Sequence, residues 1–273
     1  MRRWNKLSVI VALLSVILIV SVVFSSGAID VLTLPLESPP APAGAPESSS
    51  AVVFVDPEPI IKDYVNDPGY QIGDTFQIHV NITDASSLFS WQINISWDPS
   101  MLNVSDVIAS EFLNRTYPTA NTTSHELGFV INKADNATGY TALGESILGG
   151  DTGVNGSGRL VTIELLITAY GCGNLTLSIS GTLPTMLLNS TLDSIAFTTT
   201  DGFFKNKLNG DSTGDGYVNS LDNGKINGHW APAGGAPEWS LGYSRCVDNN
   251  DDGYVNALDQ GVVNGNWGRN IYD

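Results

Sequence analysis

The stretch DSTGDGYVNSLD runs from Asp211 to Asp222, and DNNDDGYVNALD runs from Asp248 to Asp259, 37 positions later. Counted from the first Asp, oxygen side chains recur at place 1 (Asp211, Asp248), place 3 (Thr213, Asn250) and place 5 (Asp215, Asp252). They recur again at place 9 (Asn219, Asn256) and place 12 (Asp222, Asp259), while Tyr217 and Tyr254 at place 7 offer backbone carbonyls. Gly216 and Gly253 at place 6 permit a sharp turn. A loop so built wraps a hard cation, and six to eight oxygens in flexible geometry suit Ca²⁺. Zinc would want His or Cys, which neither loop has. Acidic turn residues alone would explain one such loop, but not two with the same Gly, Val and Asn at the same places. Two calcium ions are expected. The six aspartates at places 1, 5 and 12, crowded into two small sites, repel one another, so metal affinity should appear as folding free energy of this tail. Place 12 is Asp rather than the longer Glu and place 3 of the first loop is a neutral Thr, so the first loop should bind more weakly.

The repeat continues past the loops, DNGKINGHW (Asp222 to Trp230) being matched by DQGVVNGNW (Asp259 to Trp267). Residues 206–273 are therefore expected to form a small tandem module. Its short helices should end near Asn227-Gly228 and Asn264-Gly265, with Trp230 and Trp267 packing back. Gly224, Gly228, Gly261 and Gly265 each weaken such a helix by roughly 1 kcal/mol relative to Ala. The stretch from Ala231 to Ser244 reads as an ordered or semi-ordered link.

Residues 51–205 carry a different period. In FSWQINISW, Phe89, Trp91, Ile93, Ile95 and Trp97 alternate with polar residues, the pattern of a half-buried strand. The same alternation runs through Phe76, Ile78, Val80 and Ile82, through Val161, Ile163, Leu165 and Ile167, and through Leu175, Leu177 and Ile179. Turn signals (DPG, WDPS, NGSG, YGCGN) separate these runs, and helical periodicity is scarce. The expected fold is mainly β, an antiparallel β-sandwich followed by a small α module.

Arg2, Arg3 and Lys6 precede an uncharged run at residues 7–24, so residues 1–28 read as an export signal, either cleaved or retained as a membrane anchor. Residues 29–50, rich in Pro, Ala and Ser, read as a spacer. The protein is thus expected outside the cell or at its surface. Asp and Glu outnumber Lys and Arg by 28 to 12, for a formal net charge of −16, which repels phosphate backbones and argues against nucleic acid as a partner. With only Cys172 and Cys246, a disulfide framework is excluded, and one bridge between them is left open. Nine N-x-Ser/Thr sequons begin at Asn81, Asn94, Asn103, Asn114, Asn121, Asn136, Asn155, Asn174 and Asn189. The alternation sets Asn81, Asn94 and Asn174 on polar strand faces, where a glycan could sit.

No nucleophile elbow, phosphate loop or metalloprotease helix is present, and His125 lacks the second His of a zinc site. His79 falls on a polar strand face, and His229 is the only other histidine. The chain reads as a non-enzyme. Trp91 and Trp97 share the apolar face of their strand and are expected in the core rather than on a sugar platform. Tyr117, Tyr140 and Trp239 remain as aromatic candidates for carbohydrate contact.

The tandem DxxxDGxVNxxD loops, each followed by a short helical segment, resemble a dockerin module with its EF-hand-like calcium loops. The region before them resembles a cohesin module, through the stretch from Ile72 to Val104, GSGRLVTIELLI (Gly156 to Ile167) and TDGFF (Thr200 to Phe204). The pair is similar to cellulosome-type scaffold and adaptor modules, or to an archaeal-like surface variant of them. The resemblance implies a jelly-roll sandwich that grips dockerin-bearing proteins and a tail that docks, with calcium bound, onto cohesin-bearing ones. Self-assembly head to tail and assembly with other chains both remain open, in a polysaccharide-degrading or cell-surface setting. A carbohydrate-binding surface glycoprotein is the alternative. Unlike cellulosomal dockerins, the chain carries Ser220-Leu221 and Ala257-Leu258 at places 10 and 11 and lacks basic residues near places 17 and 18.

Overall fold

The structure, a computed structural model, describes residues 50–63, 65–110, 112–113, 126–148, 152–230 and 243–271. The export signal, most of the spacer, sequons Asn114 and Asn121, and His125, Tyr117 and Trp239 lie outside the described residues. So does most of the link after Trp230.

Strict alternation gives each strand one apolar face, and two sheets bury those faces against each other. The five-stranded sheet has the order β11 (Phe197–Thr200), β1 (Ala51–Asp56), β3 (Thr75–Leu88), β8 (Val154–Ile167), β5 (Leu102–Ala109). The seven-stranded sheet runs β2 (Ile60–Asp63), β12 (Gly202–Lys207), β9 (Cys172–Leu177), β4 (Ser90–Ser96), β7 (Tyr140–Leu148), β6 (Glu126–Asp135), with β10 (Met186–Leu188) pairing β4. Phe76, Ile78, Val80 and Ile82 meet Val161, Ile163, Leu165 and Ile167 on the first inner face; Trp91, Ile93, Ile95, Leu175 and Leu177 line the second. Each such burial is worth about 1.5–3 kcal/mol, so these faces set the register.

Most pairings are antiparallel as expected, but β1 pairs β11 and β2 pairs β12 in parallel. Pro57 and Pro59 explain the first half of this arrangement. Lacking N–H groups, they end β1 and let the chain cross to the other sheet as β2. Alongside it the chain makes the same crossing at Asp201, between β11 and β12. Ile179 departs from the expected strand, being 65% exposed, because β9 stops at Leu177 and the Ser178 N–H turns back to the Asn94 carbonyl.

Beyond β12 the chain folds α1 (Ser220–Gly228), α2 (Tyr243–Val247) and α3 (Ala257–Gly265) around a second small core of Leu208, Val218, Ile226, Val247, Val255 and Val263. The helices end at the Asn-Gly pairs as expected. Trp230 and Trp267 do not pack back; they are 46% and 54% exposed, and small branched side chains fill the core instead. All six residues of β12 are buried. Phe204 faces the sandwich core, whereas Lys205 and Lys207 donate to carbonyls of the tail, so the tail covers the strand's outer face.

Candidate functional site

The acidic loops owe their shape to their own first and last residues. In the first, Asp211 Oδ1 accepts the Gly214 N–H at 2.7 Å and Oδ2 accepts the Gly216 N–H at 2.9 Å. Asp222 Oδ1 accepts the Thr213 N–H at 2.9 Å, and its Oδ2 accepts the Asn219 N–H at 2.8 Å. Thr213 Oγ1 sits between the two carboxylates, 3.2 Å from Asp211 Oδ1 and 2.9 Å from Asp222 Oδ1. The second loop repeats the plan: Asp248 Oδ2 accepts the Gly253 N–H at 2.9 Å, and Asp259 accepts the Asn249 N–H at 2.6 Å and the Asn256 N–H at 2.8 Å. Gly216 and Gly253 hold φ of +82° and +88°, which a side chain would strain.

The sites expected from sequence are thus brought together in part. Asp211, Thr213 and Asp222 converge, as do Asp248 and Asp259. Asp215 and Asp252 instead accept the Tyr217 and Tyr254 N–H groups of their own turns, both at 2.9 Å. Asn250 donates to Asp252 Oδ2 at 2.8 Å. Asn219 and Asn256 are helix N-caps, accepting from Leu221 and Leu258, and form capping boxes with Asp222 and Asp259. Among the described residues no three His, Cys, Asp or Glu side chains cluster as a metal centre would need from those groups alone.

The donor set nevertheless fits a hard cation. Asp211, Asp222, Asp248 and Asp259 are buried, and burial pushes the carboxyl of Asp211 up and that of Asp248 up to about 6. Repulsion from Asp222 and Asp259 adds to these shifts. Each loop therefore holds two desolvated carboxylates beside the place-5 carboxylate and neutral oxygens, an all-oxygen set that a hard cation would fit better than Zn²⁺ would.

Sequence reasoning missed the residues that hold this tail to the sandwich. Lys205 Nζ donates to the Asp248 carbonyl and to Asp251 Oδ1, both at 2.8 Å, and Lys207 Nζ donates to the Cys246 carbonyl at 2.7 Å. Burial and the neighbouring Lys205 pull the Lys207 amine down to about 7, while Asp211 and Asp222 pull it up. Cys172 of β9 and Cys246 of α2 form a disulfide, closing the bridge that the sequence left open. Arg245 pairs with Glu58 and lies 4.2 Å over the Phe203 ring. The one available signal was a pair of lysines at i and i+2 on a strand running into an acidic loop.

Among the sequons, Asn94 is a correction. Its Nδ2 donates to the Leu183 carbonyl at 2.7 Å beneath the segment from Leu183 to Thr185, which leaves no room for a glycan on that face. Asn136 likewise exchanges two hydrogen bonds with the Val104 backbone. Trp91 and Trp97 are buried as expected, the latter donating to the Leu102 carbonyl at 2.6 Å. His79 lies against Thr162 Oγ1 at 3.0 Å, and burial, with Arg159 nearby, lowers its pKa. The outer face of the five-stranded sheet holds a shallow concavity of about 650 Å³ lined by Phe54, Asn81, Phe112, Arg159 and Thr162 among others. Among the described residues no helix is long and apolar enough to cross a membrane, and residues 7–24 lie outside them.

The family model of the cohesin domain matches residues 65–202. Comparison with curated proteins finds no match. Among solved structures, CaCohA2 from Clostridium acetobutylicum is 15% identical, covering 58% of this chain and 91% of its own, with a TM-score of 0.42. A non-cellulosomal cohesin from the hyperthermophilic archaeon Archaeoglobus fulgidus is 15% identical over 60% of this chain and 96% of its own, with a TM-score of 0.40. The third cohesin of ScaC from Acetivibrio cellulolyticus, solved in complex with the ScaB dockerin, is 13% identical over 57% of this chain and 99% of its own, with a TM-score of 0.42.

Proposed function

The chain belongs to the cohesin domain family, and on that premise we propose that it is a non-catalytic extracellular adaptor whose sandwich grips a dockerin-bearing partner and whose tail is a dockerin-like, two-calcium module. Cohesin domains are protein-interaction modules that mediate cohesin–dockerin assembly. The observation that carries the calcium half is the doubled pair of buried carboxylates, Asp211 with Asp222 and Asp248 with Asp259, each closing a loop whose other donors are the place-5 carboxylate and neutral oxygens. Calcium would supply the positive charge that these desolvated acids lack. The chain's own residues fix the loops: Asp211 and Asp248 tie down the turns, while Asp222 and Asp259 join loop to helix.

The tail's exposed apolar residues support a docking role. Leu221 and Leu258, at place 11 of each loop, are each 61% exposed and stand 37 positions apart, as do the exposed Trp230 and Trp267. A doubled apolar surface of this kind serves contact with another chain better than it serves the tail's own core.

Calorimetric titration of the intact protein with Ca²⁺ should show two sites, and Asp222→Asn with Asp259→Asn should abolish the heat. Light scattering in calcium and in chelator then reads assembly. A calcium-dependent rise in mass supports head-to-tail self-assembly, and an unchanged mass places the partner on another chain. Absence of any calcium heat in the wild-type protein would remove the metal from the proposal.

Carbohydrate binding is the second reading, favoured by the concavity beside Phe54, Phe112 and Arg159, where aromatic and polar groups meet. A polysaccharide-binding screen of Phe54→Ala against the wild type tests it, and equal retention of both would dismiss that surface.

A further inference from the structure

Four buried carboxylates in two adjoining loops are a strong reason for a tail to unfold when nothing neutralises them, and the sequence alone suggests that calcium must do so. The structure shows what else holds the tail in place. Strand β12 belongs to the sandwich, yet its outward residues Lys205 and Lys207 are buried beneath the tail. Lys205 Nζ reaches the first residue of the second loop, donating to the Asp248 carbonyl at 2.8 Å, and pairs with Asp251 at the same distance. Asp251 is the loop's one charged residue outside places 1, 5 and 12, and its counterpart in the first loop is Gly214. The extra acid thus occurs in the loop that has an ammonium to meet it. Lys207 Nζ donates to the Cys246 carbonyl at 2.7 Å, on the segment that carries the disulfide to Cys172. Both lysines therefore hold the segment that enters the second loop, and both stand on a strand whose other face is anchored in the sandwich core through Phe204.

Isolated buried ammonium groups are unfavourable unless paired and hydrogen-bonded. Two lysine amines on one strand face, each donating to a tail carbonyl and one also paired with Asp251, make a polar seat that the tail fills. The polar contacts around it are backbone-directed and short, and the covalent bridge keeps Cys246, and with it the Lys207 contact, in place. Further ties lie along the same edge: Arg245 with Glu58, and Arg269 3.6 Å from Asp63.

We propose that Lys205 and Lys207 are buried anchors for the tail, holding it folded on β12 without a metal ion, so that calcium acts on a surface that is already formed. The inference rests on the calcium reading only for the last clause. It competes with the expectation that metal affinity supplies the tail's folding free energy.

Amide hydrogen exchange on the intact, disulfide-bonded protein tests it, in excess chelator and in excess Ca²⁺. The expected result is protection of α1 and α3 in chelator comparable to that of β12, falling at least tenfold in Lys205→Met with Lys207→Met and returning when calcium is added. Strands β3 and β8 report whether the sandwich itself has survived. If wild-type α1 and α3 exchange freely in chelator while β3 and β8 stay protected, the inference is overturned. Full protection of α1 and α3 in chelator for a double variant with an intact sandwich overturns it equally. Should the double variant lose β3 and β8, the wild-type chelator arm decides alone. Failure of the calcium reading is separate, read as a wild-type protein that gives no heat with Ca²⁺ yet keeps α1 and α3 protected in chelator.

Discussion

Asn249 donates its Nδ2 to Ser212 Oγ at 2.7 Å, joining the second place of one acidic loop to the second place of the other across 37 residues. Both side chains are buried. The loops therefore stand back to back, and the helices that follow them are linked through Asn223 with Asn264 and Gln260 with Asn227. A repeat visible in the sequence thus becomes one structural unit with a shared polar seam. Asn249→Ala deletes the bond and leaves Ser212 Oγ buried without this donor. The expected loss is about 1–2 kcal/mol of tail stability, measured as earlier exposure of α1 and α3 in a urea series followed by amide exchange. An unchanged series would show that the seam contributes nothing.

The disulfide makes a second prediction. Cys172 and Cys246 close a loop of 74 residues, and a bridge of that span restricts the unfolded chain by about 2–4 kcal/mol. Cys172→Ser with Cys246→Ser should lower the unfolding midpoint accordingly, the tail being the first part to open. A midpoint unchanged in urea would show that the noncovalent contacts along β12 already hold the tail.

How far the sequence announced this architecture depends on the range of the interaction. Alternation is local, and it located the inner faces of β3, β4 and β8 residue by residue. The loops are local as well, so Gly216, Gly253 and the paired terminal aspartates were legible, as were the helix ends at Asn227-Gly228 and Asn264-Gly265. The parallel pairing of β1 with β11 and β2 with β12 joins residues more than a hundred positions apart and leaves no periodic trace. Lys205 and Lys207 were unreadable for a different reason: lysine is ordinarily a surface residue, and only the tail's position over β12 buries it. Asn94 was misjudged because the strand's polar face is covered by a segment about ninety residues further on. Asn219 and Asn256 were expected as ligands, and the structure uses their side chains as helix caps. Capping and coordination draw on the same oxygen chemistry, so spacing alone cannot separate them.

The glycines of the short helices give a stabilising prediction. Nothing lies within 4 Å of a Cβ built at Gly224 or Gly261, and neither has a positive φ. Ala at each should stabilise the tail by roughly 0.5–1 kcal/mol through lower unfolded-state entropy and higher helix propensity. Thermal unfolding of Gly224→Ala with Gly261→Ala checks it; a fall in midpoint would mean that the helices are held away from ideal geometry there.

Glu145 supplies the last prediction. It sits on β7 opposite Trp91 of β4, its side chain buried on the core-facing side of the sheet. Neither Glu145 Oε2 nor Trp91 Nε1 closes a hydrogen bond of normal geometry. Burial pushes the carboxyl up to about 7, with the Trp91 indole pulling weakly the other way. An acid whose folded pKa lies above its unfolded value of 4.5 binds more protons in the folded state between those values. The folded protein should therefore lose stability at this group as pH rises from about 4.5 to about 7, and lose nothing further above that. Glu145→Gln keeps the shape without the charge, so it should remove this slope and stabilise the protein by roughly 1–3 kcal/mol at pH 8. Urea unfolding of both proteins at pH 5 and pH 8 measures the difference. Equal slopes would mean that Glu145 is neutralised or hydrated in the folded state and that its burial carries no charge penalty.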